Sequence, residues 1–458
     1  MVEYSDLDVI IKQLKKAAID AYMKDRLFNL NGGEYMQRTA QPLATVRIEA
    51  PNADGEGGGR LLEGKPYDED QVENFDAIRS KIDSIVSRWK GLPEPSGLSA
   101  NRVVCGDVVL ELSAMSDRGQ IGGTGDAARH LQNAVVNSAS LSGETMISFR
   151  ENLLGNIGPT MDALAVAYHF VGETLEREEK AVEYTRKAVA NAVDGARDTF
   201  SKIANQGFDK GTLEFAVNII KMAVKGVIIL APLEGVLAKL IEEIGFKIIE
   251  EAISGVGDDK DRHPGNFDTA MRDFEALMNR INEELTAVEE DVSESILLSQ
   301  GVIAKRINHF RIELKALHTK DVDNKNLEND IKEVNISREE AYHIARTNLP
   351  ELANCLRASL NKASGLNMPS RRDHPVGIRV EGPQLEFLNF KNRLDSLLGE
   401  LAEDVELGAY NLKVALEAFD AVDNEERDKF QERENSLEES ASTVEKAQNR
   451  QKPVSYDP

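Results

Sequence analysis

Apolar residues recur at helical spacing over most of the chain. Within residues 67–90, Val72, Phe75, Ile78, Ile82, Ile85 and Trp89 return every three or four positions, a single stripe that predicts a helix. Helical patterning resumes at Asp126. After a break expected near Gly155 to Pro159 it continues through Met161, Leu164, Tyr168, Val171, Leu175, Val182, Val189, Val193 and Phe200. The sharpest repeat begins after Pro264: Phe267, Met271, Phe274, Met278, Ile281, Leu285, Val288 and Val292 alternate by fours and threes, the seam of a coiled coil or bundle helix. Ile303, Ile307, Phe310, Leu314 and Leu317 resume it after an eleven-residue offset, which relaxes supercoiling locally, so the pattern predicts one very long helix. A second stripe, Phe387, Phe390, Leu394, Leu397, Leu401, Val405, Leu412, Ala415, Phe419 and Val422, is expected to pack antiparallel on the first. Residues 103–112 read equally as a short strand or an apolar turn of helix.

Proline and glycine punctuate these stripes. They cluster at residues 42–66, 92–97, 256–265 and 365–383 and leave the periodic intervals free, because proline inside a helix removes an amide donor and clashes with the preceding turn. Residues 52–65, with Asp54-Gly55-Glu56-Gly57-Gly58-Gly59, read as too flexible and polar to pack. The expected organisation is a helix plus a glycine-rich arm over residues 1–66, a helical hairpin region over 67–210 and an apolar hairpin over 211–260. Heptad helices follow over 261–365, a linker over 366–383, and a bundle helix with a polar tail over 384–458. The fold class is all-α, an elongated antiparallel helical bundle with long coiled-coil-like helices.

The most apolar stretch, 215–253, is interrupted by Lys221, Lys225, Glu234, Lys239, Glu242 and Glu243. Its longest uncharged run falls well short of the roughly 20 residues that span a bilayer as a helix. A buried hairpin turning near Pro232 is the structural reading. The functional one is a membrane-active hairpin that meets lipid through Ile228, Leu230, Leu237, Ile241, Ile244 and Ile248.

Charge narrows the partners. A net charge of −24 repels nucleic acid and anionic membranes at distance. The first 30 residues lack the basic start and apolar core of a Sec signal peptide. Two cysteines, Cys105 and Cys355, exclude a disulfide framework or a cysteine metal cluster and leave a single bridge open.

No motif for chemistry survives inspection. Gly59 to Lys65 fits a phosphate loop until Pro66 occupies the magnesium-ligating position, and Gly123-Thr-Gly125-Asp-Ala-Ala128 follows polar, turn-like residues instead of a strand. Residues 321–326 start like a calcium loop but lack its glycine and its final glutamate. The seven histidines form no metal-binding spacing. Paired acids such as Glu178-Glu179, Glu289-Glu290 and Glu425-Glu426 read as solvated helix faces. Neither an enzyme nor a cofactor is expected.

Two elements carry a resemblance. Trp89-Lys90-Gly91 stands at the end of a helix before a turn, where an indole caps the helix end and glycine lets the chain reverse. Near the other end, Phe419 is followed four residues later by Asp423, which puts both on one helix face. The pair resembles the W-x-G turn and the terminal aromatic-x-x-x-acid element of WXG/Esp-type substrates of type VII secretion, with Phe419 in the slot usually held by Tyr. The strict Tyr-x-x-x-Asp form occurs only at Tyr4 to Asp8, at the opposite end of the chain from where the family carries it. A fainter similarity places Gly123 in the tryptophan slot of a second hairpin helix.

The resemblance implies a non-enzymatic helical substrate of a type VII-like system, secreted or on the cell surface. Trp89 and Gly91 would form its turn, and Phe419 and Asp423 would be read by the secretion machinery or by another helical substrate. A homo-oligomer and a membrane are further partners to consider, and nucleic acid is not expected. A pore-forming-like membrane protein and a cytoplasmic coiled-coil scaffold are the competing readings.

Overall fold

The computed structural model describes residues 2–38, 45–64, 71–115, 121–139, 141, 144–206, 267–312 and 338–423. Over these residues the chain is mostly helical and carries one small antiparallel sheet, so the all-α expectation holds only coarsely. A 3-10 turn at Tyr4–Asp6 leads into α1 (Leu7–Asp25), whose buried stripe includes Leu7, Ile10, Ile11, Leu14, Ala18 and Ala21. Four strands follow, β1 (Asn29–Asn31), β2 (Glu34–Arg38), β3 (Thr45–Glu49) and β4 (Leu61–Glu63), paired antiparallel in chain order. The two-residue turn Gly32-Gly33 joins β1 to β2, a tight hairpin that suits the twist of the strands. In β3, buried Val46 and Ile48 alternate with more exposed neighbours, so the sheet presents one face to the core. Tyr35 of β2 belongs to the same core and donates from its hydroxyl to Asp20 of α1 at 2.5 Å.

The glycine-rich stretch expected as a loose arm folds back instead. Asn52 Oδ1 accepts the amides of Asp54 and Glu56 at 2.9 and 3.0 Å. Arg79, from α2 (Gln71–Val86), donates to the carbonyls of Gly55 and Gly57 and ties that loop to the helix. The loop's backbone polar groups are met by these side chains and by its own turn bonds, the Asn52 amide donating to the Glu56 carbonyl and the Gly55 amide to the Asn52 carbonyl at 3.0 Å each, which hydropathy patterning does not register.

A 3-10 turn at Ser87–Trp89 ends α2, and α3 (Pro95–Leu112) starts on a proline whose missing amide costs nothing at the first helical position. The ambiguous stretch 103–112 is therefore helix. After α4 (Asp126–Ser138) and α5 (Glu144–Phe149), a π turn at Arg150–Leu154 passes straight into α6 (Gly155–Gln206). The break expected at Gly155 to Pro159 is absent: Pro159 lies inside the helix, which continues through it just after the π turn. Then come α7 (Phe267–Lys305), α8 (Arg338–His343), a π turn at Ile344–Asn348, α9 (Leu349–Ser364) and α10 (Gln384–Asp423).

The single long helix expected through Leu317 ends earlier. At Lys305 the chain leaves the α-helix for a 3-10 turn, Ile307–His309. That departure brings Phe310 and Ile312 into the core and sets Arg311 on Glu400 at 2.7 Å. Leu314 and Leu317 lie outside the described residues.

At 52 residues, α6 is about 78 Å long and serves as the spine. Along its first half α3 runs antiparallel, marked by Cys105 donating to the Tyr168 carbonyl and Arg186 donating to the Pro93 carbonyl. Both α7 and α10 are also antiparallel to α6: Phe200 packs on Phe267, Phe170 meets Phe390 edge-on at 5.7 Å, and Tyr168 donates to Asp395 at 2.7 Å. Two helices that both oppose the spine must run in the same direction, so the expected antiparallel pairing of α10 on α7 does not form. Besides the spine, α10 has α9 as an antiparallel partner, through Arg357 with Glu406 and Lys391 donating to the Ser364 carbonyl.

Two apolar cores lie along the spine. One gathers residues from α3, α4, α6, α9 and α10; the other gathers α1, α2, the sheet and the facing parts of α6 and α7. Among the described residues no helix is long and apolar enough to cross a membrane. The apolar hairpin 215–253, with Ile228, Leu230, Leu237, Ile241, Ile244 and Ile248, lies outside them. Cys105 and Cys355 are free thiols, and burial pushes Cys105 up to about 12.

Candidate functional site

The Trp89 turn is a built junction. Trp89 is fully buried in the second core, and its indole N–H meets no acceptor among the described residues. Gly91 follows with φ +77°, and a Cβ there would collide with the side chain of Asp373. Left-handed backbone and close approach together admit only glycine. The helices on either side of the turn take different partners, α2 packing on α1 and α3 on α6, so the turn is a corner between layers rather than the tip of a hairpin closed on itself.

The start of the chain meets this corner. Tyr4 donates from its hydroxyl to the Trp89 carbonyl and accepts the Leu92 amide at 3.3 Å. Arg186 lies over the Tyr4 ring at 4.4 Å while pairing with Glu94 at 2.6 Å. Burial raises the Tyr4 phenol above its ordinary range, so it stays a donor at physiological pH. One turn along, Asp8 pairs with Lys90 at 2.6 Å, with the Asp8 side chain 74% exposed. The strict Tyr-x-x-x-Asp element therefore lies directly on Trp89-Lys90-Gly91, although some 80 residues of chain separate them.

The terminal pair is elsewhere. Phe419 and Asp423 sit one turn apart at the end of α10. Gly408 of the same helix packs on Leu153, at the start of the spine, whereas Tyr4 meets Arg186, more than 30 residues further along it. The structure does not bring Phe419 and Asp423 to the Trp89 turn.

Beneath the turn lies a charged centre that the pattern of the chain concealed. Residues 365–383 form a strap, not an exposed linker, and Arg372 on it is buried against Glu178 of α6 and Glu289 of α7, each carboxylate side chain 0% exposed. Glu289 accepts from both terminal nitrogens of Arg372 and from the Ile378 amide at 2.9 Å. Glu178 is held by one longer contact to Arg372 at 3.5 Å, and among the described residues its Oε2 has no hydrogen-bond partner. Arg372 also donates to the carbonyls of Val376 and Arg379.

Removal from water raises the Glu178 carboxyl to about 7 against the pull of Arg372. Burial likewise lowers Arg372 from its ordinary value, and Glu178 opposes that shift. The guanidinium remains charged, since arginine does not lose its proton in proteins.

Both glutamates, expected on solvated helix faces, are buried instead. Their signal was in the seams. The buried positions of α7 run Ile281, Leu285, Glu289, Val292 and Ile296, so Glu289, not Val288, occupies the core stripe. In α6, Glu178 likewise falls between buried Leu175 and Val182. The acids Glu425 and Glu426 lie outside the described residues. No family model, curated protein or solved structure matches the chain.

Proposed function

We propose that this protein is a non-enzymatic helical substrate of a type VII-like secretion system, acting by protein–protein contact after export. Its scaffold is read as an elongated antiparallel bundle around α6, with the sheet as a side element. The observation that carries the reading is the meeting of Tyr4-x-x-x-Asp8 with Trp89-x-Gly91. Trp89-x-Gly91 is one of the two elements that carry the resemblance, and Tyr4-x-x-x-Asp8 has the strict form of the other, at the end of the chain opposite to where the family carries it. The roles divide by exposure. Trp89 and Gly91 build the corner, whereas Asp8 and Lys90 present an accessible charge pair to a receptor.

The test is export of the full chain from a host that carries a type VII apparatus, with helicity followed by circular dichroism. Asp8→Ala combined with Lys90→Ala is expected to abolish export with helicity unchanged. Phe419→Ala with Asp423→Ala, measured in parallel, shows which aromatic–acid pair is read. If only the second double variant blocks export, the address moves to the end of α10. A wild-type chain that stays in the cell overturns the reading.

A further inference from the structure

We propose that residues 365–383 form a proton-operated strap: with Glu178 protonated it lies closed over the seam between the two cores and against the Trp89 turn, and when Glu178 ionises it loosens. The strap bridges the whole seam. Leu366 and Met368 belong to the helical core, Val376 belongs to the sheet-closed core, and Arg372 stands between them. On its outer side Asn367 exchanges hydrogen bonds with Asn101 at 3.0 and 3.2 Å, and Asp373 lies on Gly91. Whatever moves Arg372 therefore moves the residue beside it that braces the turn.

Counting charges identifies the proton's place. Two carboxylates share one guanidinium, which leaves one negative charge without compensation in a site closed to water, and such a charge is expelled or neutralised. Glu289 has three donors, so its ionised form is well held. Glu178 has one long contact and a free oxygen, so it is the group that takes the proton.

The other charges on the packed elements are engaged among themselves. Arg102 of α3 faces Glu176 and Glu179, and Glu386 of α10 holds Arg379 of the strap. On α7, Asp291 pulls electrostatically on Arg177 of α6. None of them offers Glu178 a second cation.

The direction follows from linkage. A carboxyl raised in the folded state binds its proton more tightly there than in an opened one, so the advantage to closure is full below the ordinary glutamate range and is lost as pH rises from there through the folded value, about 7. The strap is tight in mild acid and loose in mild alkali. Gly377 and Ile378 report its state directly, because their amides donate to Asn282 and Glu289 at 3.0 and 2.9 Å. A Cβ at Gly377 would strike the Glu289 carboxylate, and with φ at +68° glycine is what lets the strap backbone lie this close to the charged centre.

Any effect of the strap on export rests on the reading above; the strap's own motion does not, and its test involves no secretion. Amide hydrogen exchange of the intact protein is compared between peptides covering residues 371–383 and residues 390–402, corrected for intrinsic rates. In the wild type, protection of the strap relative to α10 is expected to fall roughly tenfold or more from about pH 5.5 to about pH 8.5. Glu178→Gln, the neutral shape-mimic, is expected to hold the strap protected across that range, and Glu289→Gln to expose it throughout. A flat wild-type profile, or Glu178→Gln tracking the wild type, overturns the proposal. Should Glu178→Gln fail to fold, the wild-type profile alone decides.

Discussion

The two apolar cores strung along α6 are closed by different means. One is built chiefly of helices, α3, α4, α9 and α10 laid on the first half of the spine, with Phe387, Phe390, Leu394 and Leu398 as its α10 ridge. The other is closed by the sheet, which caps α1 and α2 with Tyr35, Val46 and Ile48. What separates them is the buried Arg372 with its two glutamates. An apolar core that simply continued along α6 would be more stable, since buried ion clusters return little net stability against their desolvation. A charged layer instead fixes which part of the strap lies at which level of the spine, because Arg372 fits only where both acids are.

Removing the cation tests that comparison hardest. Arg372→Ala leaves two buried carboxylates without their shared partner and is expected to cost about 4–5 kcal/mol in urea denaturation, lowering exchange protection on both sides of the seam. Loss confined to one core would mean that the strap belongs to that core alone. A cavity in the helical core comes next. Phe390→Ala is expected to cost about 3–4 kcal/mol and to weaken protection in α9 and α10 while β2 and β3 keep theirs. An equal loss in the strands would merge the two cores into one cooperative unit. The smallest effect belongs to the surface. Arg357→Ala breaks an ion pair with Glu406 whose side chains are 40% and 59% exposed, and thermal denaturation should register less than about 1 kcal/mol. A larger loss would show that charge, not burial, holds α9 on α10.

The helical core was largely legible in the sequence because its signal is local. The stripes that run through Tyr168, Leu175, Phe387 and Leu394 are spaced as the helices are, and their residues are buried as expected as far as Leu412; Ala415 is half-buried, with Leu416 taking the core position, and the side chains of Phe419 and Val422 lie outside the described residues. The sheet-closed core was harder to see. Its strands span three to five residues, too short for a period of two to stand out, although Asn31-Gly32-Gly33-Glu34 and the alternation in Thr45-Val-Arg-Ile-Glu49 are hairpin and strand signals in their own right. At the candidate site, Trp89 and Gly91 were legible as a turn. That Tyr4 and Asp8 belong to the same place was not, since contact between residues 4 and 89 depends on how α1 and α2 are laid on α6.

By itself the sequence determined that this chain is mostly helical, which faces of those helices turn inward, and that its one tryptophan stands at a turn. These depend on spacing along the chain, and spacing is what a helix converts into a face. Only the tertiary structure decided that α7 and α10 run in the same direction, that a proline- and glycine-rich segment is a strap that buries Arg372, and that Glu178, Glu289 and Arg372 are one centre. Burial of a charge has no periodic signature. It depends on whether a partner arrives from a distant part of the chain, and here Arg372 comes to Glu178 across 194 residues.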